Sequence, residues 1–467
     1  MNAFSPAQAQ RWNIYAGFAE AFAAPSAKAE LRGWCGLALL SLAVAGVFAL
    51  LVALSRVPGA EKVAVLPIDF FDKGLVVHVV FSFVVWYLSV LGALLCVAAH
   101  RVGGGRPPAS GLAKLALWCG YASAALLFVP GFLGGEASLN NYVPVIVDPV
   151  YYAGLALLAV SLILATLRFG LCLPRRAGPL DPVSLGTVNA AILYLLALFC
   201  MAIAAGHLLS DPIDGTFHEN LFWGGGHILQ FVNVAMLIGA WYLLGGLALE
   251  WPLTRPNLLS LAQVILLAAA VLGPLFYVLF DAFSAEQRAA FTWLQYAFAA
   301  PTIFVVAFAA QTLVDRRRDG GLPWAHPALL CLVLSIAVFA LGGFLGIFVD
   351  GADTRTPAHY HGVIGGVNLA FMGLFYCFFL NLMGRGPEPG RAVRLSIWFY
   401  ALGQALHSLG LFLAGGYGAP RKTAGADQGI EALGAMIGLY GMGVGALVAV
   451  AGGVMFIWIA GRRLLAR

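Results

Sequence analysis

The sequence is short of charge. Of its 467 residues only 10% are Asp, Glu, Lys or Arg, against about 25% in a soluble domain, which excludes an ordinary cytosolic enzyme. It lacks C-x-x-C and C-x-x-C-H. Its seven cysteines (Cys35, Cys96, Cys119, Cys172, Cys200, Cys331 and Cys377) are isolated. A zinc cluster built on paired thiolates and a covalently attached haem are therefore not expected, and each cysteine reads as a small buried hydrophobe. No basic groove with interleaved aromatics is present, so the net charge of +5 does not point to nucleic acid. Gly and Pro follow no period, which excludes collagen-like and linker character. Met1 to Arg32 hold no apolar core with a cleavage site, so no removable signal peptide is expected.

What the chain has is apolar length. Hydrophobic residues make up 61%, mean hydropathy is +0.89, and runs longer than about 18 apolar residues recur throughout. The fold class expected is an all-α integral membrane protein with twelve transmembrane helices. Their approximate spans are 34–55, 74–100, 112–134, 143–170, 185–209, 219–249, 258–281, 290–313, 325–349, 359–384, 393–416 and 431–461. The loops are too short for a second domain. The organisation expected is an N-terminal segment 1–33, one membrane domain 34–461 and a basic tail 462–467. With the N-terminus placed inside, 19 of the 26 basic residues fall at inner ends and 7 at outer ends. That bias predicts that both termini are cytoplasmic; the location expected for such a multi-pass chain is a bacterial inner membrane.

Orientation gives each histidine a depth. His78, His227, His359, His361 and His407 all fall in the outer third of the membrane, His207 and His218 lie at outer helix ends, and His100 and His326 lie at the inner side. Any one of them alone reads as a packed histidine bonded to a carbonyl. Five at one level on four helices read as a site, because ionisable groups at membrane depth are costly. No large acidic set accompanies them, so a magnesium or calcium cage is not expected, and neutral imidazole binding iron or copper is. His359 and His361 are two residues apart and so turned by about 200° on a helix. They cannot readily hold one metal together, but they can hold two cofactors, one on each flank, with His78 as a second axial ligand for one of them.

At this point the residues become specific. Pro357-Ala-His-Tyr-His361-Gly-Val resembles the A-H-F-H-Y-V signature on the tenth helix of the haem-copper oxidase subunit I family, the superfamily of cytochrome c oxidase and nitric oxide reductase. Leu221-Phe-Trp-Gly-Gly-Gly-His227 resembles the family's L-F-W-x-x-G-H on the sixth helix. Ala300-Pro301-Thr302 and Gly418-Ala-Pro420-Arg421-Lys422 are similar to shorter motifs of the eighth helix and of the loop after the eleventh. The resemblance implies a respiratory oxidoreductase with two non-covalent haems, of b type. His78 and His361 would be the axial pair of a low-spin haem, and His359 would ligate a high-spin haem where O2 or NO is reduced. His227 would ligate a non-haem iron or copper. Electrons would come from an outer-face donor, a cytochrome c or a cupredoxin-type subunit. Arg421 and Lys422 read either as contacts to haem propionates or to an outer partner, or as an ordinary exposed loop.

The departures from the family pattern are polar. Its seventh-helix His-His pair falls on Leu279 and Phe280, its cross-linked tyrosine on Phe231, its sixth-helix glutamate on Leu229 and its eighth-helix lysine on Val305. The usual inner proton paths are therefore not expected. Asp281 and Gln230 are the replacement candidates for the non-haem metal, with Asn233, His207 and His218 near, and a mixed His/Asp set suits iron better than copper. Two other readings stand beside the oxidoreductase: a two-haem electron-transfer or gas-sensing subunit that has lost the second metal, and a twelve-helix transporter whose histidines line a substrate path.

Overall fold

The computed structural model describes residues 14–59, 68–176, 178–349 and 351–466. Arg11, Lys62 and Arg467, which enter the charge count above, lie outside them, as do the first 13 residues of the expected N-terminal segment. The twelve expected spans are present. They are α1 (Pro25–Ser55), α2 (Phe71–Val102), α3 (Ser110–Phe132), α4 (Pro149–Arg175), α5 (Pro182–His207), α6 (Gly215–Leu249), α7 (Pro256–Leu279), α8 (Ala285–Asp319), α9 (Pro327–Gly346), α10 (Arg355–Leu382), α11 (Arg391–Gly416) and α12 (Leu433–Leu465). Each is long and apolar enough to cross a membrane, and a helix satisfies its own backbone where no water can. A two-residue antiparallel ribbon, β1 (Ala137–Ser138) with β2 (Val145–Ile146), lies in the α3–α4 connection.

Several helix starts differ from expectation, and capping explains them. The α4 span was expected from 143. It begins at Pro149 because 145–146 pair as a strand and Asp148 accepts from the Val150 N–H. Asp181 and Asp214 cap α5 and α6 in the same way. Ser284 starts α8 five residues before the expected 290 by accepting from the Gln287 N–H. α1 starts at Pro25, where Pro at the first helical position is favourable. Residues 25–33 therefore form the first turns of the helix that carries the first span. α12 runs through Leu465, so most of the expected tail is helix.

The bundle has a centre. Within their apolar windows α2, α6 and α10 are 83%, 78% and 89% buried, against at most 50% for the others. These three helices carry His78, His227, His359 and His361, so the histidines converge because their helices are the innermost. α1 packs on α2 and α12, and α12 packs along α11. The α11–α12 seam is lined by glycines, as membrane helices that approach closely require. A Cβ on Gly445 would lie 2.3 Å from the backbone nitrogen of His407. Gly445→Val should therefore destabilise the protein by about 1–3 kcal/mol, read as a lower melting temperature in detergent.

Candidate haem site

A cavity of about 1060 Å³ lies between α1, α2, α10, α11 and α12, at the upper end of the range of about 300–1,000 Å³ usual for ligand pockets. His78, His361 and His407 all face into it. The ring of His78 donates from Nδ1 to the carbonyl of Ala45 on α1, 3.1 Å away, which leaves Nε2 as a bare acceptor. A π-helical segment, Val80–Val85, begins two residues after His78, and Ser41 of α1 donates to the Phe81 carbonyl there at 2.5 Å. Such one-turn irregularities occur often at functional sites. The His361 ring makes no hydrogen bond to any described residue, and its centroid lies 4.5 Å from that of His407 at 71°. His407 is itself fixed, donating to the Met442 carbonyl at 3.0 Å.

Cations rim the cavity. Arg56, at the end of α1, is buried, donates to the Pro420 carbonyl at 2.7 Å and keeps its Nε without a partner. Arg421 donates to Asn141 at 2.8 Å and to the Gly351 carbonyl at 3.2 Å. Lys422 donates to the Leu139 carbonyl. No salt bridge among the described residues involves any of the three. Burial, and then the charge of Arg421, push the Lys422 ammonium down to about 8.

These residues fit a haem. The bare Nε2 of His78, the unbonded ring of His361 and a buried guanidinium whose Nε lacks a partner are what an iron macrocycle with two carboxylates would complete. An anionic propionate beside Lys422 would raise its pKa again. Haem binding should therefore take up a proton above about 8, with affinity flat below that pH and falling by up to about tenfold per unit above it. Haem titrations across pH 6–10 (about one pH unit per step) check this, and the slope should vanish in Lys422→Met.

The two histidines of α10 point apart. His359 turns away from the cavity toward α9 and donates from Nδ1 to the Gly342 carbonyl at 2.8 Å. A Cβ on Gly346 would lie 2.5 Å from that nitrogen, so α9 must be bare there for the ring to fit. The Nδ1 bond fixes the ring and leaves Nε2 for a ligand, as metal-binding histidines commonly require.

The non-haem metal does not fit. His227 is buried, donates from Nδ1 to the Trp223 carbonyl at 2.7 Å, and accepts at Nε2 from the Tyr142 hydroxyl at 2.8 Å. Burial raises the Tyr142 phenol, which keeps it a donor. Trp223, Tyr142 and Phe291 surround the ring with centroids 4.6 to 5.6 Å away. Asp281 is exposed in the turn after α7, and Gln230 faces the haem-sized cavity instead. Leu279 is 67% exposed, so the end of α7 does not reach inward. His218 is engaged at both nitrogens, by Ser138 and by Tyr152, each at 3.0 Å. His207 stands against Tyr277 and Phe283. Sequence reasoning missed Tyr142, which lies in a loop 85 residues from His227, and assigned Arg56 only an outer position.

Comparison with known proteins agrees with this architecture. The family model of cytochrome c and quinol oxidase polypeptide I matches residues 32–455. An uncharacterised protein of Aquifex aeolicus is 31% identical over 75% of this chain and 84% of its own length. Cytochrome c oxidase subunit 1 of Thermus thermophilus is 24% identical over 75% of this chain and 68% of its own. A solved heme-copper terminal oxidase dimer has a chain that superposes with a TM-score of 0.81 at 18% identity, covering 95% of this chain and 85% of that one.

Proposed function

The chain belongs to the cytochrome c and quinol oxidase polypeptide I family, and from that premise we propose that it is a haem-bearing respiratory oxidoreductase of a bacterial inner membrane, with both termini cytoplasmic. The observation that carries the reading is one large cavity that His78 and His361 face from two helices. His78 and His361 would hold a low-spin haem through Nε2, and His359 would hold a second haem on the opposite flank of α10. When bound, haem supplies one-electron iron chemistry and, where one axial position is open, a site for O2 or NO.

The chain's own residues do the rest. Ala45, Met442 and Gly342 carbonyls hold His78, His407 and His359 in one tautomer. His407 confines the His361 ring. Arg56, Arg421 and Lys422 would bind the propionates at the outer face, where a cytochrome c or a cupredoxin-type subunit would deliver electrons. Charge-assisted contacts of that kind are the strong ones. Leu229 and Val305 stand where polar residues of the inner proton paths would be, which supports proton entry from the outer side.

A second reading has its own observation. Both nitrogens of His227 are already bonded, which favours an electron-transfer or gas-sensing subunit with no second metal. A haem and metal inventory of purified protein separates the two. Two haems with no further iron or copper support the second reading, and a further metal restores the first. A reduced-minus-oxidised spectrum without haem bands ends both.

A further inference from the structure

A second polar cluster lies apart from the haem cavity, at the opposite end of the bundle, where α1 begins and α2 and α4 finish. Glu30 stands on α1, Cys96 and His100 near the end of α2, and Arg168 near the end of α4. Cys96 and His100 are four residues apart, which puts both on one face of α2. The Glu30 Oε2 is 3.0 Å from the His100 Nε2. A thiol sulfur, an imidazole nitrogen and a carboxylate oxygen of the trio all lie within 4.8 Å of one another. Among the described residues, no other trio of His, Cys, Asp or Glu does so. Cys96 and His100 are 2% and 4% exposed, and the Phe22 ring lies 5.2 Å from the imidazole.

Two features make this more than an ion-pair knot. The donor set is one sulfur, one nitrogen and one oxygen, which suits tetrahedral zinc with one position left over. The Glu30 carboxylate only accepts, so the His100 ring proton sits on Nε2; the opposite nitrogen, Nδ1, is buried without a partner, so no acceptor competes when the proton moves there and bares Nε2. Arg168 holds the other Glu30 oxygen and donates from Nε to the Pro108 carbonyl at 3.2 Å. It aims the carboxylate as outer partners of metal ligands do. Isolated cysteines hid the site from a search for paired thiolates, because the partners come from helices 70 and 138 residues apart in sequence.

We propose that Glu30, Cys96 and His100 bind one zinc ion. The Cys96 thiol gives up its proton to solvent as the S–Zn bond forms, the His100 ring proton moves from Nε2 to Nδ1, and α1 becomes tied to α2. The full-length, haem-loaded protein, equilibrated with Zn2+ and dialysed, should hold one zinc per chain by elemental analysis. Its zinc-edge X-ray absorption should show one sulfur at about 2.3 Å with nitrogen or oxygen at about 2.0 Å. Cys96→Ser should lose the sulfur shell and at least about tenfold in zinc affinity, with haem bands unchanged. If that variant fails to fold, zinc protection of Cys96 against alkylation in the unmodified protein is the second measurement. No retained zinc, a shell of nitrogen and oxygen alone, a sulfur shell that survives Cys96→Ser, or alkylation at an unchanged rate with zinc would each overturn the proposal.

Discussion

Replacing His361 with alanine is expected to abolish the low-spin haem signal while leaving the fold close to intact. The ring makes no hydrogen bond to a described residue, so its removal orphans no partner. The cost of deleting a polar group comes mainly from what is left unsatisfied, about 1–3 kcal/mol when that group is buried. His78→Ala should lose the same signal but at a greater cost in stability, because the bond from its Nδ1 to the Ala45 carbonyl goes with it. Optical and paramagnetic-resonance spectra check the haem, and melting curves check the fold. A six-coordinate signal that survives His361→Ala would make the axial assignment wrong. His407, whose ring centroid is 4.5 Å away, would be the substitute, and the double variant decides whether it is. Loss in both single variants would tie the cavity, and not merely the histidine content, to the low-spin centre.

Hydropathy made the twelve crossings legible because bilayer thickness imposes one length on every span. It did not fix where helices begin, since a start is set by a single cap: Asp148 before α4 and Ser284 before α8 are polar residues at the edge of an apolar window, where a sliding count is least informative. The separation of His359 from His361 was legible because helical geometry alone determines it. The partners of His227 were not. The L-F-W-x-x-G-H resemblance is local, whereas the group that occupies its Nε2 is Tyr142, from the loop that carries β1 and β2. Arg56 shows the same limit. Its position at the end of α1 was readable, but its burial depends on Pro420 and Gln428, more than 360 residues away. Charges at helix ends look alike in sequence, and only packing separates a solvated cation from a caged one.

His359→Ala is expected to remove carbon monoxide binding altogether and to leave the low-spin spectrum unchanged. The two rings face opposite ways. His361 faces the cavity shared with His78, while His359 faces α9, its Nδ1 held by the Gly342 carbonyl at 2.8 Å, so a change at one ring does not touch the other's surroundings. A milder version tests the same geometry without removing the imidazole. A Cβ on Gly346 would stand 2.5 Å from the His359 Nδ1, closer than real side chains approach. Gly346→Val should therefore push the ring off its carbonyl and weaken carbon monoxide binding by about tenfold or more, since a bond to a ring nitrogen fixes the orientation of the one opposite. Carbon monoxide difference spectra of the two variants, each normalised to its low-spin band, give the comparison. Binding that survives His359→Ala assigns the open iron to a histidine other than His359. Binding lost in His359→Ala but untouched in Gly346→Val keeps the ligand and rejects the α9 contact as what positions it.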